Sequence, residues 1–359
     1  MTSHYEERME ADLTEIRGKV RKASALIEDQ VRKAVHALLT DDRDLANEVI
    51  LGDRRVNRKI REIDHLCHAF IVRHAPSAGH LRFVSAVLRL DVALERIGDY
   101  AGTIGREVVQ LSGPPPGTVA RDIELISHQA RRTLRQALTA FHEADVELAQ
   151  ATHGAADQTD STLQKVFAEL LDVGEKRELP LRDIFGLLRI INLLKRVAEQ
   201  AENICEQTVF AITGDTGDAK VYRILFLDRR NDCGSLIAEA YARKAFPQSG
   251  IYTSSGWDPA PDVDPKLVQF LDASGIDMKG LKPSLLRPIQ EEPRHFHVIV
   301  ALDPEARAHI GTIPFRTVCL EWDVGDCGDF SEARLDQLLK TIAIHVQDLM
   351  TILRGSNAR

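Results

Sequence analysis

The segments 81–107 (LRFVSAVLRLDVALERIGDYAGTIGRE) and 181–207 (LRDIFGLLRIINLLKRVAEQAENICEQ) are two versions of one helix, set 100 positions apart. Eight positions coincide, among them Leu88/Leu188, Arg89/Arg189, Leu94/Leu194 and Arg96/Arg196. Such a period exceeds that of stacked solenoid units and implies a duplicated subdomain of roughly 100 residues. The repeat therefore fixes an architecture of two similar helical bundles, followed by something unrelated.

Helical periodicity runs through the first 212 residues, and punctuation divides it. Helices are predicted over 5–39, 41–74 and 79–111. The prolines of SGPPPGT (112–118) then stop the third, since proline lacks the N–H and clashes with the preceding turn. Three more are predicted over 119–143, 146–173 and 180–212. Short breaks at Thr40–Asp42 and Ala144–Asp145 make successive helices antiparallel neighbours. Two three-helix bundles result, over 1–112 and 118–213.

GDTGDAK (214–220) marks a boundary beyond which the period changes. VYRILFL (221–227), GIYTSS (250–255), HVIVAL (297–302) and RTVCLEW (316–322) read as strands. Helical stretches near 264–274, 304–311 and 330–354 alternate with them. Strands separated by helices imply an α/β domain over 220–359, its parallel sheet covered on both faces. The chain is thus multidomain, all-α in its first part and α/β in its last.

A net charge of −8 argues against non-specific nucleic-acid binding, which needs a basic field. The five cysteines (Cys67, Cys205, Cys233, Cys319 and Cys327) form no CxxC pair or zinc spacing. No disulfide framework is expected from them, and a reducing compartment fits. The polar start MTSHYEERMEAD has no apolar signal segment, and no uncharged run is long enough to span a bilayer. A cytoplasmic protein without membrane insertion is expected.

Asp91, Glu95 and Asp99 lie four apart, one above another on a helix face, where like charges repel. Arg89, Arg96 or Arg106 could offset that repulsion. So could a bound divalent or iron cation, for which clustered carboxylates are suitable ligands. Asp53 on the second helix is a candidate further ligand. The second copy carries Ile191, Lys195 and Glu199 at these positions; Lys195 would repel a metal, which leaves Glu199 the weaker candidate.

Together LERIGDYA, its partner LKRVAEQAENICE, the upstream HAPSAGHLRF and the two-bundle layout resemble the PhoU family of phosphate-uptake regulators over residues 5–212. The resemblance implies a cytoplasmic helper protein with carboxylate motifs for metal clusters. Its implied partners are phosphate-transporter subunits and a membrane sensor histidine kinase, and it implies dampening of import and signalling, with self-association. The sequence departs from the family at Lys195, and at Asn57 and Ser161, where carboxylates are expected. A first metal site at Asp53, Glu95 and Asp99 is expected and a second is not.

ILFLDRRNDCGSLIAEA (224–240) reads as a strand, a tight loop and a helix start, aiming backbone N–H groups and the helix dipole at one spot. Arg229, Arg230, Asn231, Gly234 and Ser235 are the candidate anion-binding residues there, with inorganic phosphate the candidate ligand. The stretch, together with the layout downstream to about residue 354, resembles low-molecular-weight protein tyrosine phosphatases and the arsenate reductases of the same fold.

Aligned on Asn231, Cys233, Ser235 and IAEA, the family's nucleophilic cysteine becomes Asp228 and its phosphate-clamping arginine becomes Gly234. Asp326 falls near the family's general acid, with Cys327 in place of the usual proline. That chemistry needs a low-pKa thiolate and a guanidinium fork; losing either member of such a unit removes orders of magnitude in rate. The reading is a phosphate regulator whose degenerate phosphatase domain is an anion-sensing or docking module. The alternative is a phosphatase or arsenate reductase using Asp228 or Cys233 in a different way.

Overall fold

The turns at Thr40–Asp42 and Ala144–Asp145 are built alike. In each, one residue takes the left-handed conformation (Asp41, φ 52°; Ala144, φ 54°), and the aspartate that follows caps the next helix. Asp42 accepts from the Leu45 N–H, and Asp145 from the Leu148 N–H, both at 2.9 Å. These satisfy first-turn donors that have no partner within a helix. The structure, a computed structural model, describes residues 4–153, 157–215, 221–288, 296–311, 313–314, 317–325, 328 and 330–355, with only the backbone for 157–164.

Among the described residues seven helices form the first part: α1 (His4–Thr40), α2 (Arg43–His74), α3 (Ala78–Gln110), α4 (Gly117–Glu143), α5 (Val146–Thr152), α6 (Asp157–Glu175) and α7 (Leu181–Thr213). The single helix expected over 146–173 is two. α5 ends where His153 turns extended (φ −62°, ψ 134°), and the sequence signal for that break is Gly154, a poor helix former. The copies are offset by 103 at their capping aspartates but by 100 in their third helices. The second copy is therefore three residues shorter between its capping aspartate and its third helix.

The repeated helices bury the same stripe. Leu90, Leu94, Ile97, Ala101 and Ile104 of α3 are fully buried, as are Ile190, Leu194, Val197, Ala201 and Ile204 of α7. At roughly 1.5–3 kcal/mol for each fully buried large aliphatic side chain, this stripe outweighs the exposed ion pairs around it. α3 and α7 lie antiparallel: Glu107 meets Arg189 at 2.8 Å, and the Arg89 guanidinium lies 5.1 Å from the centre of the Phe210 ring. One continuous core consequently runs through both copies, within a compact unit spanning Met1–Gly217.

The second unit, Asp218–Arg359, alternates β1 (Tyr222–Asp228), α8 (Gly234–Ala245), β2 (Gly250–Gly256), α9 (Pro265–Ala273), β3 (Val298–Ala301), α10 (Ala306–Ile310), β4 (Val318–Glu321) and α11 (Glu332–Arg354). Among the described residues all strands are parallel, in the order β2-β1-β3-β4. Alternation along β1 sends Ile224 and Phe226 into the core shared with α8 and α11, and Leu225 and Leu227 into a second core against Phe296 and α10. β1 is hence apolar on both faces, and its C-terminal end delivers residue 228 to the head of α8. Among the described residues no helix is long and apolar enough to cross a membrane.

Candidate functional site

The loop between β1 and α8 is closed by its own first residue. Asp228 Oδ1 accepts from the Asn231 N–H at 2.5 Å, and Oδ2 accepts from the Ser235 N–H at 2.8 Å. The Ser235 hydroxyl bonds the same carboxylate and accepts from Asn231 Nδ2 at 2.8 Å. Asn231 is fully buried, sits at φ 46°, and through Oδ1 accepts from the Ser284 N–H at 2.7 Å. Burial pushes the Asp228 carboxyl above the usual range, while the donors from Ser235 and Asn231 pull it back. Amides of the kind that cradle an oxyanion here hold a carboxylate.

Side chains expected to grip an anion point elsewhere. Arg229 pairs with Asp258 at 3.2 Å and Arg230 with Asp232 at 2.7 Å, both arginines being more than half exposed. Gly234 contributes only space: a Cβ there would lie 3.6 Å from Asp228 Oδ2. Cys233 is held in a disulfide, so it offers no thiolate in this state, whereas Cys67, Cys205 and Cys319 are free. The scattered cysteine spacing gave no sign of this bond. Asp326 and Cys327 lie outside the described residues. Among the described residues, no thiolate and guanidinium converge on the loop.

Gly256, at the end of β2, lets the loop lie flat against the sheet. A Cβ there would fall 2.6 Å from the Arg229 carbonyl oxygen and 2.9 Å from the Asn231 nitrogen. Backbone cannot yield as a side-chain tip can. Gly256→Ala should therefore destabilise the C-terminal unit by about 1–3 kcal/mol, read as earlier thermal unfolding of this domain; an unchanged midpoint would mean the loop packs less tightly than described.

The acidic stripe of α3 divides in two. Asp91 and Asp99 are eight residues apart, about 12 Å along a helix, too far to share one cation whose ligands sit about 2–2.6 Å away. Asp91 is buried with neither carboxylate oxygen hydrogen-bonded. Burial first, then the charges of Asp64 and Glu95, push its pKa up to about 8. Burial, then the charges of Asp53 and Glu95 and a hydrogen bond with Asp53, also raises the Asp99 carboxyl, which Arg106 partly counters.

Asp53 Oδ1 and Asn57 Oδ1 are buried without a donor. Oxygen ligands suit a hard cation in kind. In number they fall short: among the described residues no three His, Cys, Asp or Glu side chains are arranged to hold a metal. The present donor set does not make a complete metal site. In the second copy Glu199 lies 3.9 Å from Lys195, and the side chain of Ser161 lies outside the described residues.

Comparison with known proteins bears on both units. A PhoU domain matches residues 20–108 and 123–208. The phosphate-specific transport system accessory protein PhoU homolog of Pseudomonas putida is 30% identical over 217 residues, covering 60% of this chain and 84% of the relative. The chain belongs to the PhoU family. The Escherichia coli accessory protein PhoU is 25% identical over 214 residues, covering 60% of this chain and 89% of the relative. The crystal structure of PhoU from Pseudomonas aeruginosa superposes with a TM-score of 0.54 at 28% identity, covering 57% of this chain and 99% of that one. Residues 223–356 match the low molecular weight phosphotyrosine protein phosphatase family, so this PhoU chain carries a phosphatase-family domain after its helical part.

Proposed function

We propose that this chain regulates phosphate uptake and phosphate signalling in the cytoplasm through contacts with phosphate-transporter subunits and a membrane sensor histidine kinase. Its C-terminal domain is a docking module without phosphatase chemistry. Membership of the PhoU family and the role of the relatives as accessory proteins of phosphate-specific transport systems support the regulatory half. The observation that carries the non-catalytic half is Asp228. The Asp228 carboxyl occupies the N–H donors that would stabilise a phosphate oxyanion.

Affinity capture of the full chain from cells grown in high and in low phosphate tests the proposal. Transporter subunits or a histidine kinase should co-purify in a phosphate-dependent manner. Recovery of neither under both conditions overturns it.

A further inference from the structure

A polar cavity lies outside the self-capped loop. Segment 280–287 crosses the outer edge of β2, anchored by Gly256 N–H to Ser284 O (2.8 Å) and Leu286 N–H to Gly256 O (2.8 Å). The Ser255 and Ser284 hydroxyls meet at 3.0 Å. Between this segment and the strand is a cavity of about 340 Å³, within the lower range of small-molecule sites at roughly 300–1,000 Å³.

Its charge is lopsided. Arg223, Lys282 and Arg287 line it, and none has an acidic partner among the described residues. Arg243 and Glu239, also in the wall, pair with each other, and Glu239 accepts in addition from the Ser254 hydroxyl at 2.5 Å, so that carboxylate is already balanced. Three uncompensated cations facing one cavity are unexpected in a chain of net charge −8.

Arg223 is half-buried in the wall, and among the described residues its Nε–H has no acceptor, although buried donors are nearly always paired. The same guanidinium lies 5.6 Å from the centre of the Phe296 ring, within cation–π range, and its planar fork suits a bidentate acceptor. Phe296 and Leu281 add apolar wall beside the cations, so the cavity offers one anionic and one apolar subsite.

We propose that this cavity binds a small organic phosphate ester: the phosphate on Arg223, Lys282 and Arg287, the organic part against Phe296 and Leu281. The inference is independent of the regulatory reading, because it concerns the purified chain alone. It also separates ligand binding from the loop that gives the domain its family likeness.

Calorimetric titration of the full chain with adenosine 5′-monophosphate, ribose 5-phosphate and glycerol 3-phosphate tests it, with adenosine and inorganic phosphate as comparisons. At least one ester should bind at one site per chain, more tightly than either comparison and more weakly as salt rises. Lys282 and Arg287 are exposed, so Lys282→Glu/Arg287→Glu should fold normally, as thermal unfolding will verify, and should weaken that ester about tenfold or more. Arg223→Met should weaken it comparably. Failure of all three esters, equal affinity for inorganic phosphate, or unchanged affinity in the charge-reversed variant each overturns the assignment.

Discussion

Asp228→Ala is expected to produce a loop that inorganic phosphate or sulfate stabilises, where the parent loop gains nothing from them. The substitution removes the acceptor for the Asn231 and Ser235 N–H groups and leaves them facing an empty cradle. Each buried donor left unpaired costs about 1–3 kcal/mol, so the C-terminal domain should lose about 2–4 kcal/mol in chloride buffer. A tetrahedral oxyanion can then replace the missing carboxylate, and a ligand at one hundred times its dissociation constant restores about 2.7 kcal/mol.

The measurement is thermal unfolding in phosphate and in chloride at matched ionic strength. Using the Lys282→Glu/Arg287→Glu background for parent and variant confines the response to the loop. An equal response of the two would mean that the carboxylate does not control access to these amides. Hydrolysis of para-nitrophenyl phosphate by the unsubstituted chain, lost in Asp228→Ala, would instead make Asp228 a catalyst and end the docking reading.

The features legible in the sequence were those set by local pattern. The two copies of the third helix, the prolines at 114–116 and the change of period after residue 220 each act on near neighbours, and the helices and strands follow them closely. What escaped was set by approach in space. Asp228 reads as a missing cysteine, but its inward turn depends on Asn231 adopting a left-handed conformation and on Gly256 giving the loop room.

The acidic stripe reads as one site because its spacing is regular. Only the rise of the helix, and the unequal burial of its members, separates Asp91 from Asp99. The cavity at the edge of β2 is invisible to any window, since Arg223 and Arg287 are 64 positions apart and are joined by a parallel crossover.

Asp91→Asn is expected to stabilise the helical unit near neutral pH. In the unfolded chain this carboxyl has its ordinary value of 3.8, and in the folded chain about 8. Folding then favours the protonated form, so the cost is absent below the unfolded value, grows as pH rises between the two, and is complete above pH 8. At 1.36 kcal/mol for each pH unit separating the two values, the penalty at pH 7 is about 4 kcal/mol at most, with relaxation of the site bringing it to about 2–3 kcal/mol.

The groups around Asp91 supply no relief: Asp64 and Glu95 repel it. Neighbouring Cys67 is itself held neutral, its thiol pushed up to about 12 by burial, then by the charges of Asp91 and Asp64. Denaturant unfolding between pH 5 and pH 8, with a chelator present, should show parent stability falling as pH rises, while the Asn variant stays nearly level and lies above it at the alkaline end. A variant that is less stable than the parent at pH 8, with the difference appearing only when divalent or iron cations are added back, would place a cation on Asp91 and reverse this account.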